Sequence, residues 1–405
     1  MIFSVSWRNV WRNKVRSLVV ISAIAIGIFA GVWSAAFFKG MMDQRIDKVI
    51  KTELSNIQIH EPEFRKTSEF SNFIPDANDL AAKIRSITHV KGVSNRMVVQ
   101  SMVASAETAS GVIIMGIDPD VEPDVTNLNN KIIDGAYFEG IKKNPVVIGK
   151  KLAEKLNVKI RSKIVITIQD LDNDIISGAF RVAGIYTTNN NLYDEGHIFV
   201  RYSDLVRLSG FPENAGHEIA ISLDNNEYLL EVQEKVKVLS PDYEVKNWKE
   251  LSPEMSYLTE VMDMYMYIFI IIILLALLFG IINTMLMVVM ERTKEIGMLM
   301  AVGMNKMRIF SMIVLESVLL SFVGGVVGII IGAIVSKFGE THPVDLSMWA
   351  EGYHALGYDS FVYTRLQPEL IVNVAILVII TGVIAALYPA YKALKNDPAD
   401  ALRME

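Results

Sequence analysis

Glu316 is the only ionisable residue in the run 309–336. A charge at mid-span in a membrane costs roughly 2.5–3.5 kcal/mol on insertion scales, so its presence asks for a use. Two uses are open. It can act as a proton relay, for which a single carboxylate without a partner is poorly equipped. It can instead reach a cytoplasmic arginine or a neighbouring helix, since it lies two turns from one end of the run. The six histidines, His60, His89, His197, His217, His342 and His354, lie outside the apolar runs and form no pair at metal-ligand spacing. A phosphate-cradling loop needs G-x-x-x-x-G-K-[ST], and Gly149-Lys150-Lys151 lacks the hydroxyl. No G-x-S-x-G elbow occurs. The expectation is a chain with no catalytic residue, no metal site and no cofactor of its own. Any energy source must then lie elsewhere.

The elements around these residues are dominated by four apolar runs. Residues 18–38, 264–290 and 370–391 carry no charge, and 309–336 carries only Glu316. Each is long enough to cross a hydrocarbon core of ~30 Å as a helix. The first run is too long for a signal-peptide core and has no small-residue cleavage site after it, so it reads as a retained anchor. Arg8, Arg12, Lys14 and Arg16 precede it without an acid. Arg292, Lys294, Lys306 and Arg308 fill the loop 291–308, and Lys392, Lys395 and Arg403 follow the last run. Basic residues favour the cytoplasmic side, so both termini and this loop are expected inside, with 39–263 and 337–369 outside. The absence of cysteine excludes disulfides and thiolate metal sites. The net charge of −6 gives no hint of nucleic acid.

The fold class expected is therefore an α-helical membrane protein with four spans, both ends inside. A large extracytoplasmic α+β domain lies between the first two spans. Residues 1–17 read as an amphipathic helix, with Phe3, Trp7, Val10 and Trp11 at helical spacing, for lying in the interface or docking a partner. Met42, Ile46, Val49 and Ile50 continue the first helix beyond its span. Ser252 as N-cap and Pro253 as first helical residue start the second. A helix over 253–290 would be roughly 57 Å long, far more than a bilayer core needs, so two helical stalks are expected. Between them, LSNIQIH, DANDLAAKIRSI and RMVVQSMVAS read as strand, helix, strand. HEIAISL, NNEYLLEVQEKVKVL and YEVKNW repeat that order near the other end. The middle, about 111–202, reads as a β-rich insert.

Small residues recur at spacing four: Ala23, Gly27, Gly31 and Ala35; Gly324, Gly328, Gly332 and Ser336; Gly382, Ala386 and Ala390. Such stripes let helix backbones approach closely, within one chain or across a dimer. In the loop 291–308, Ile296, Leu299 and Met300 share one helical face. Glu291 and Glu295 sit where a helix N-terminus favours anions, and Gly303 suits its C-terminal stop. This short helix has an apolar face with no evident cover in the chain.

The stretch ERTKEIGMLMAVGMNKMRIF closely resembles the signature of ABC permeases of the MacB, LolC/LolE and FtsX type, the type VII or mechanotransmission transporters. WRNVWRNKVRSLVVISAIAIGI is similar to that family's first helix and span. YPAYKALKNDPADALRME is similar to its tail, including Pro389, Pro398 and Leu402. Within the family, NIQIHEPEF, GIDPD, DGAYF, VVIGKKLAEKLNVK and FRVAGIYTT resemble the LolE branch. One departure is Arg161-Ser162, where relatives often have a glycine turn. The resemblance implies that 291–308 holds a coupling helix docking on an ATPase, with Glu291, Arg292, Glu295, Ile296, Gly297, Leu299 and Gly303 as coupling residues. Gly27, Gly31, Gly324, Gly328, Gly332 and Glu316 are left to helix packing. It implies a separate ATPase of the LolD or MacB type that binds ATP and magnesium, because the fused ATPase domain usual in MacB-type chains is not in this sequence. A second permease subunit, a copy or a paralogue, completes the expected assembly in the bacterial inner membrane. A lipoprotein or other amphiphile is the implied substrate, and a periplasmic chaperone or adaptor a further partner. MacB-like export of drugs or peptides, and FtsX-like control of a cell-wall hydrolase, are the other functions the resemblance allows.

Overall fold

A computed structural model describes residues 2–395; Met1 and residues 396–405, with the tail positions Arg403, Pro398 and Leu402, lie outside the described residues. The chain divides into two compact units. One comprises Met1–Met42, Thr259–Asp345 and Phe361–Glu405, the other Asp43–Leu258 and Leu346–Ser360.

The first unit is helical. It contains α1 (Ile2–Arg12) and most of α2 (Lys14–Lys48) and α3 (Pro253–Glu291), followed by α4 (Thr293–Ala301), α5 (Lys306–Gly339) and α6 (Pro368–Lys395). Four of these helices, α2, α3, α5 and α6, are long and apolar enough to cross a membrane. The small-residue stripe of α5 meets α2 of the same chain. A Cβ on Gly328 would lie 2.6 Å from the Ala25 carbonyl oxygen and 2.9 Å from Ile28 Cβ. Gly324 meets Ile24 and Gly332 meets Val32 in the same way. Glycine is needed here because the two backbones nearly touch, which is how helices pack where apolar burial gives them no preference over lipid. On its other side, α5 takes α6: the Ser317 hydroxyl donates to the Gly382 carbonyl at 3.0 Å. A Cβ on Gly27 of α2 would lie 3.2 Å from Leu277 of α3, and one on Gly31 would lie 3.5 Å from Ile273. Long stretches of α3 stay open, with Phe269, Ile272, Leu275 and Phe279 all exposed.

The second unit is built on a sheet. Its strands are β1 (Ile57–His60), β2 (Val90–Ala104), β3 (Ala109–Ile117), β4 (Ile132–Gly135), β5 (Pro145–Gly149), β6 (Lys163–Gln169), β7 (Ile175–Tyr186), β8 (His197–Arg201), β9 (Glu218–Leu223) and β10 (Glu244–Asn247). They join in the order β10-β1-β9-β2-β3-β8-β5-β7-β4, with β6 against β2 and β7. The two strand-helix-strand segments thus lie together, with the helices Ala77–Ile84 and Leu229–Leu239 sharing a core with Ile57, Ile59, Ile219 and Ile221. One feature differs from the expected two-part layout. β2 runs through both parts: Val90–Arg96 pairs with β9, while Met97–Ala104 pairs with β3 and β6. The strand-rich part therefore begins at Met97 rather than near residue 111. At that passage Arg96, 1% exposed, donates to Glu122 at 3.2 Å and to Glu218 at 2.7 Å. Ser94 and Thr126 supply further hydroxyl donors to Glu122. A buried charge is tolerated only when paired and hydrogen-bonded, and this one is both.

Within the same unit, Lys48 at the end of α2 donates to Asp359 at 3.0 Å, and Asn189 reaches the same carboxylate at 3.1 Å. The segment between α5 and α6 is thereby tied to the end of α2. A π-helical turn, Val49–Leu54, follows directly.

Candidate coupling site at the charged loop

The apolar run ending at Met290 contains no breaker, so α3 continues through Glu291 before the chain turns at Arg292. Glu291 therefore closes one helix rather than opening the next, a correction to the expectation from its spacing. A carboxylate at a helix C-terminus is unfavourable, and Arg16 compensates by pairing with it. Glu295 does lie in the first turn of α4. Arg12 grips it with two guanidinium nitrogens at 2.8 and 3.1 Å. Two cations four residues apart thus meet two carboxylates four residues apart, in reverse order. The Arg12 hydrogen bonds, backed by Arg292, hold the Glu295 carboxyl below the usual range even though partial burial works the other way.

Arg292 links this zipper to α5. Its Nε donates to Glu295 at 3.0 Å, and its Nη1 donates to both oxygens of Glu316 at 3.1 and 3.2 Å. Asn9 of α1 donates to the same carboxylate at 2.6 Å, and the Ser6 hydroxyl donates to the Met312 carbonyl at 3.2 Å. Glu316 is thus the floor of an arginine network, and its oxygens are occupied by donors of this chain.

The end of α4 explains Gly303. Its φ of +94° places it in the left-handed region. Its amide donates to the Met300 carbonyl and the Met304 amide to the Leu299 carbonyl, both at 3.0 Å. This is the paired-bond stop in which glycine avoids the Cβ penalty. Half-buried Leu299 and Met304 both pack on the membrane-unit core beside it.

The apolar face of α4 is not left uncovered, contrary to the sequence-based expectation. Ile296 is 5% exposed, Gly297 is buried, and Ile296 shares a core with Val10, Val289, Ile309 and Ile313. The reason is that α1 and the start of α5 come to it, which spacing along the chain does not reveal. The outward side carries Met298, 56% exposed, and Val302, 85% exposed. Sequence reasoning also passed over Asn9, Arg12 and Arg16 as members of this site. Their signal was the matching four-residue spacing of Arg12/Arg16 and Glu291/Glu295.

Comparison with known proteins bears on this arrangement. A family model described as the MacB-like periplasmic core domain matches residues 17–239, and one described as the FtsX-like permease C-terminal matches 267–398. An uncharacterised ABC transporter permease of Methanocaldococcus jannaschii is 26% identical, over 100% of this chain and 98% of its own. The lipoprotein-releasing system transmembrane protein LolC of Haemophilus influenzae is 24% identical, over 74% of this chain and 75% of its own. The macrolide export ATP-binding/permease protein MacB of Syntrophobacter fumaroxidans is 32% identical, over 40% of this chain and 21% of its own. The first family model spans more than half of the residues and the second covers the charged loop with the helices around it, so this multi-pass membrane chain belongs to the MacB/LolC/FtsX family of ABC transporter permeases.

Proposed function

We propose that this chain is the membrane subunit of a lipoprotein-releasing transporter, driven by a separate ABC ATPase. The observation that carries the coupling part is α4: its Ile296 face packs on α1 and α5, Arg12–Glu295 ties it to α1, Arg292–Glu316 ties the turn before it to α5, and Arg16–Glu291 ties α2 to the end of α3 beside it, while Met298 and Val302 face out. A helix held that way transmits a push rather than absorbing it. The ATPase holds ATP and magnesium, and its closure moves α4 together with α1 and α5. The basic loop and both termini face the cytoplasm. The outward extensions of α2 and α3 serve as stalks that carry the motion to the outer domain. A second permease subunit completes the pair in the inner membrane, and a periplasmic chaperone or adaptor accepts the product.

The lipoprotein part is supported by the outer-domain motifs of LolE character and by the LolC relative. A mild-detergent pull-down of the tagged chain, with mass spectrometry of what is retained, tests both parts. An ATPase together with triacylated lipoprotein is expected. An outer-membrane channel with an adaptor would replace this reading by MacB-like export, which the MacB relative favours. A cell-wall hydrolase would replace it by regulation, and the absence of any ATPase would remove the coupling assignment.

A further inference from the structure

A cavity of about 600 Å³ opens between the α1–α2 junction and the end of α3. Arg12, Lys14, Arg16 and Arg292 line it, against the carboxylates of Glu291 and Glu316. Glu295 neutralises Arg12 from outside the wall. Four cations against three carboxylates leave one positive charge, and Lys14 makes no ion pair among the described residues.

An apolar groove of about 340 Å³ begins where this cavity ends, and the two share Val20 and Thr284. Its walls are Ala23 and Gly27 of α2 and Ile273, Ala276 and Gly280 of α3. Small residues create the space: a Cβ on Gly280 would meet nothing within 4 Å. The one polar wall group is satisfied, since the Thr284 hydroxyl donates to the Gly280 carbonyl at 2.9 Å. From Thr284 to Ile273 the groove runs roughly 16 Å by the helical rise, about half of a ~30 Å hydrocarbon core, hence one leaflet. The charged cavity lies at the rim of that leaflet, beside the amphipathic α1, whose Phe3 and Trp7 are exposed for the interface.

We propose that cavity and groove together bind one anionic phospholipid, its phosphate on Lys14 and the arginine zipper and one acyl chain along α2 and α3. A single surplus positive charge suits a headgroup of one net negative charge, and basic pockets between transmembrane helices select such lipids. A zwitterionic lipid would have to place its ammonium beside the arginines. This site takes a structural lipid, and it stands whether or not the chain handles lipoproteins.

Native mass spectrometry of the full chain, released from nanodiscs of equal phosphatidylglycerol and phosphatidylcholine, tests the site. One phosphatidylglycerol per chain is expected to be retained in preference to phosphatidylcholine. Lys14→Gln should weaken that retention about fivefold, the effect of one basic residue at a lipid surface. Gly280→Phe, which fills open space, should abolish it, while Lys337→Gln at the far end of α5 should leave it unchanged. Thermal unfolding checks that each variant is folded. Equal retention of the two lipids, or phosphatidylglycerol still held by Gly280→Phe, would overturn the proposal. So would a Gly280→Phe variant that keeps its lipid but no longer self-associates, since a second copy would then own the groove.

Discussion

Arg292 sends one guanidinium nitrogen to both carboxylate oxygens of Glu316, at 3.1 and 3.2 Å, and so joins the turn after α3 to the middle of the charged end of α5. Both side chains are shielded, at 15% and 5% exposure. Removing one partner of a buried pair leaves the other uncompensated, which costs about 3–5 kcal/mol, whereas replacing both is far milder. Arg292→Met should therefore destabilise the chain strongly, and adding Glu316→Gln should restore much of the loss. Thermal unfolding of the three variants in one detergent measures this.

The contact of α2 with α5 sets a second expectation. Gly328→Val would place a Cβ 2.6 Å from a backbone oxygen, which cannot yield as a side chain can. A loss of about 1–3 kcal/mol or more is expected from overpacking. Gly280→Ala, with open space around it, should instead gain about 0.5–1 kcal/mol from helix preference. Unfolding midpoints of the two variants should move in opposite directions.

Val302→Asp and Met298→Asp should lower capture of the ATPase with little change in unfolding temperature, because both side chains face out. Ile296→Asp should do the reverse first and destabilise the chain, because it buries a carboxylate. Pull-down yield and unfolding temperature, read on the same samples, separate the two classes. If Ile296→Asp alone blocked capture at full stability, the assigned faces of α4 would be exchanged.

His217 predicts a pH response of the outer domain. It is fully buried, its Nδ1 accepts from the Val98 amide at 3.3 Å, and its Nε2 donates to the Phe70 carbonyl at 3.0 Å. Burial pushes its pKa down to about 4. The unfolded chain takes up a proton near pH 6.5, which the folded chain refuses until about pH 4. Stability from this group is thus complete above pH 6.5 and lost as pH falls toward 4, by up to roughly 3 kcal/mol. Buried His60 and half-buried His197 shift in the same direction. Hydrogen exchange at the Val98 amide, corrected for intrinsic rates, should show the loss between pH 7.5 and 5, and His217→Gln should flatten it.

Arg161 gives the fifth expectation. Its φ of +68° is a conformation that costs a side-chain-bearing residue about 1–2 kcal/mol. Arg161→Gly relieves that cost but adds freedom to the unfolded chain. A net gain of a few tenths to about 1 kcal/mol is expected in the urea midpoint of the outer domain.

The apolar helices were legible because an uncharged run of that length has few other uses. The strands β1, β2, β9 and β10 were legible because alternating apolar residues flank clear helical segments. Gly303 was legible as a stop, since few residues other than glycine adopt its φ cheaply. What remained hidden depends on distance along the chain. Glu316 could not be assigned to Arg292 and Asn9 from spacing, and Ile296 could not be known as buried until α1 and α5 were seen to cover it. Glu291 was misplaced because helix length was judged from apolar residues alone. The sharing of β2 was hidden for a related reason: one long strand reads the same whether it serves one group of partners or two.

That shared strand has an evolutionary consequence. An insert joined to its host by two loops can be gained, lost or exchanged as a cassette. Here the host's own strand supplies residues Met97–Ala104 to the far side, and Arg96 pins the junction with two carboxylates from different segments. The two halves of the outer domain must therefore diverge together. Hairpin tips such as 105–108 and 170–174 can change length without breaking this pairing, whereas a chimera cut at the apparent domain boundary would sever a strand rather than a linker.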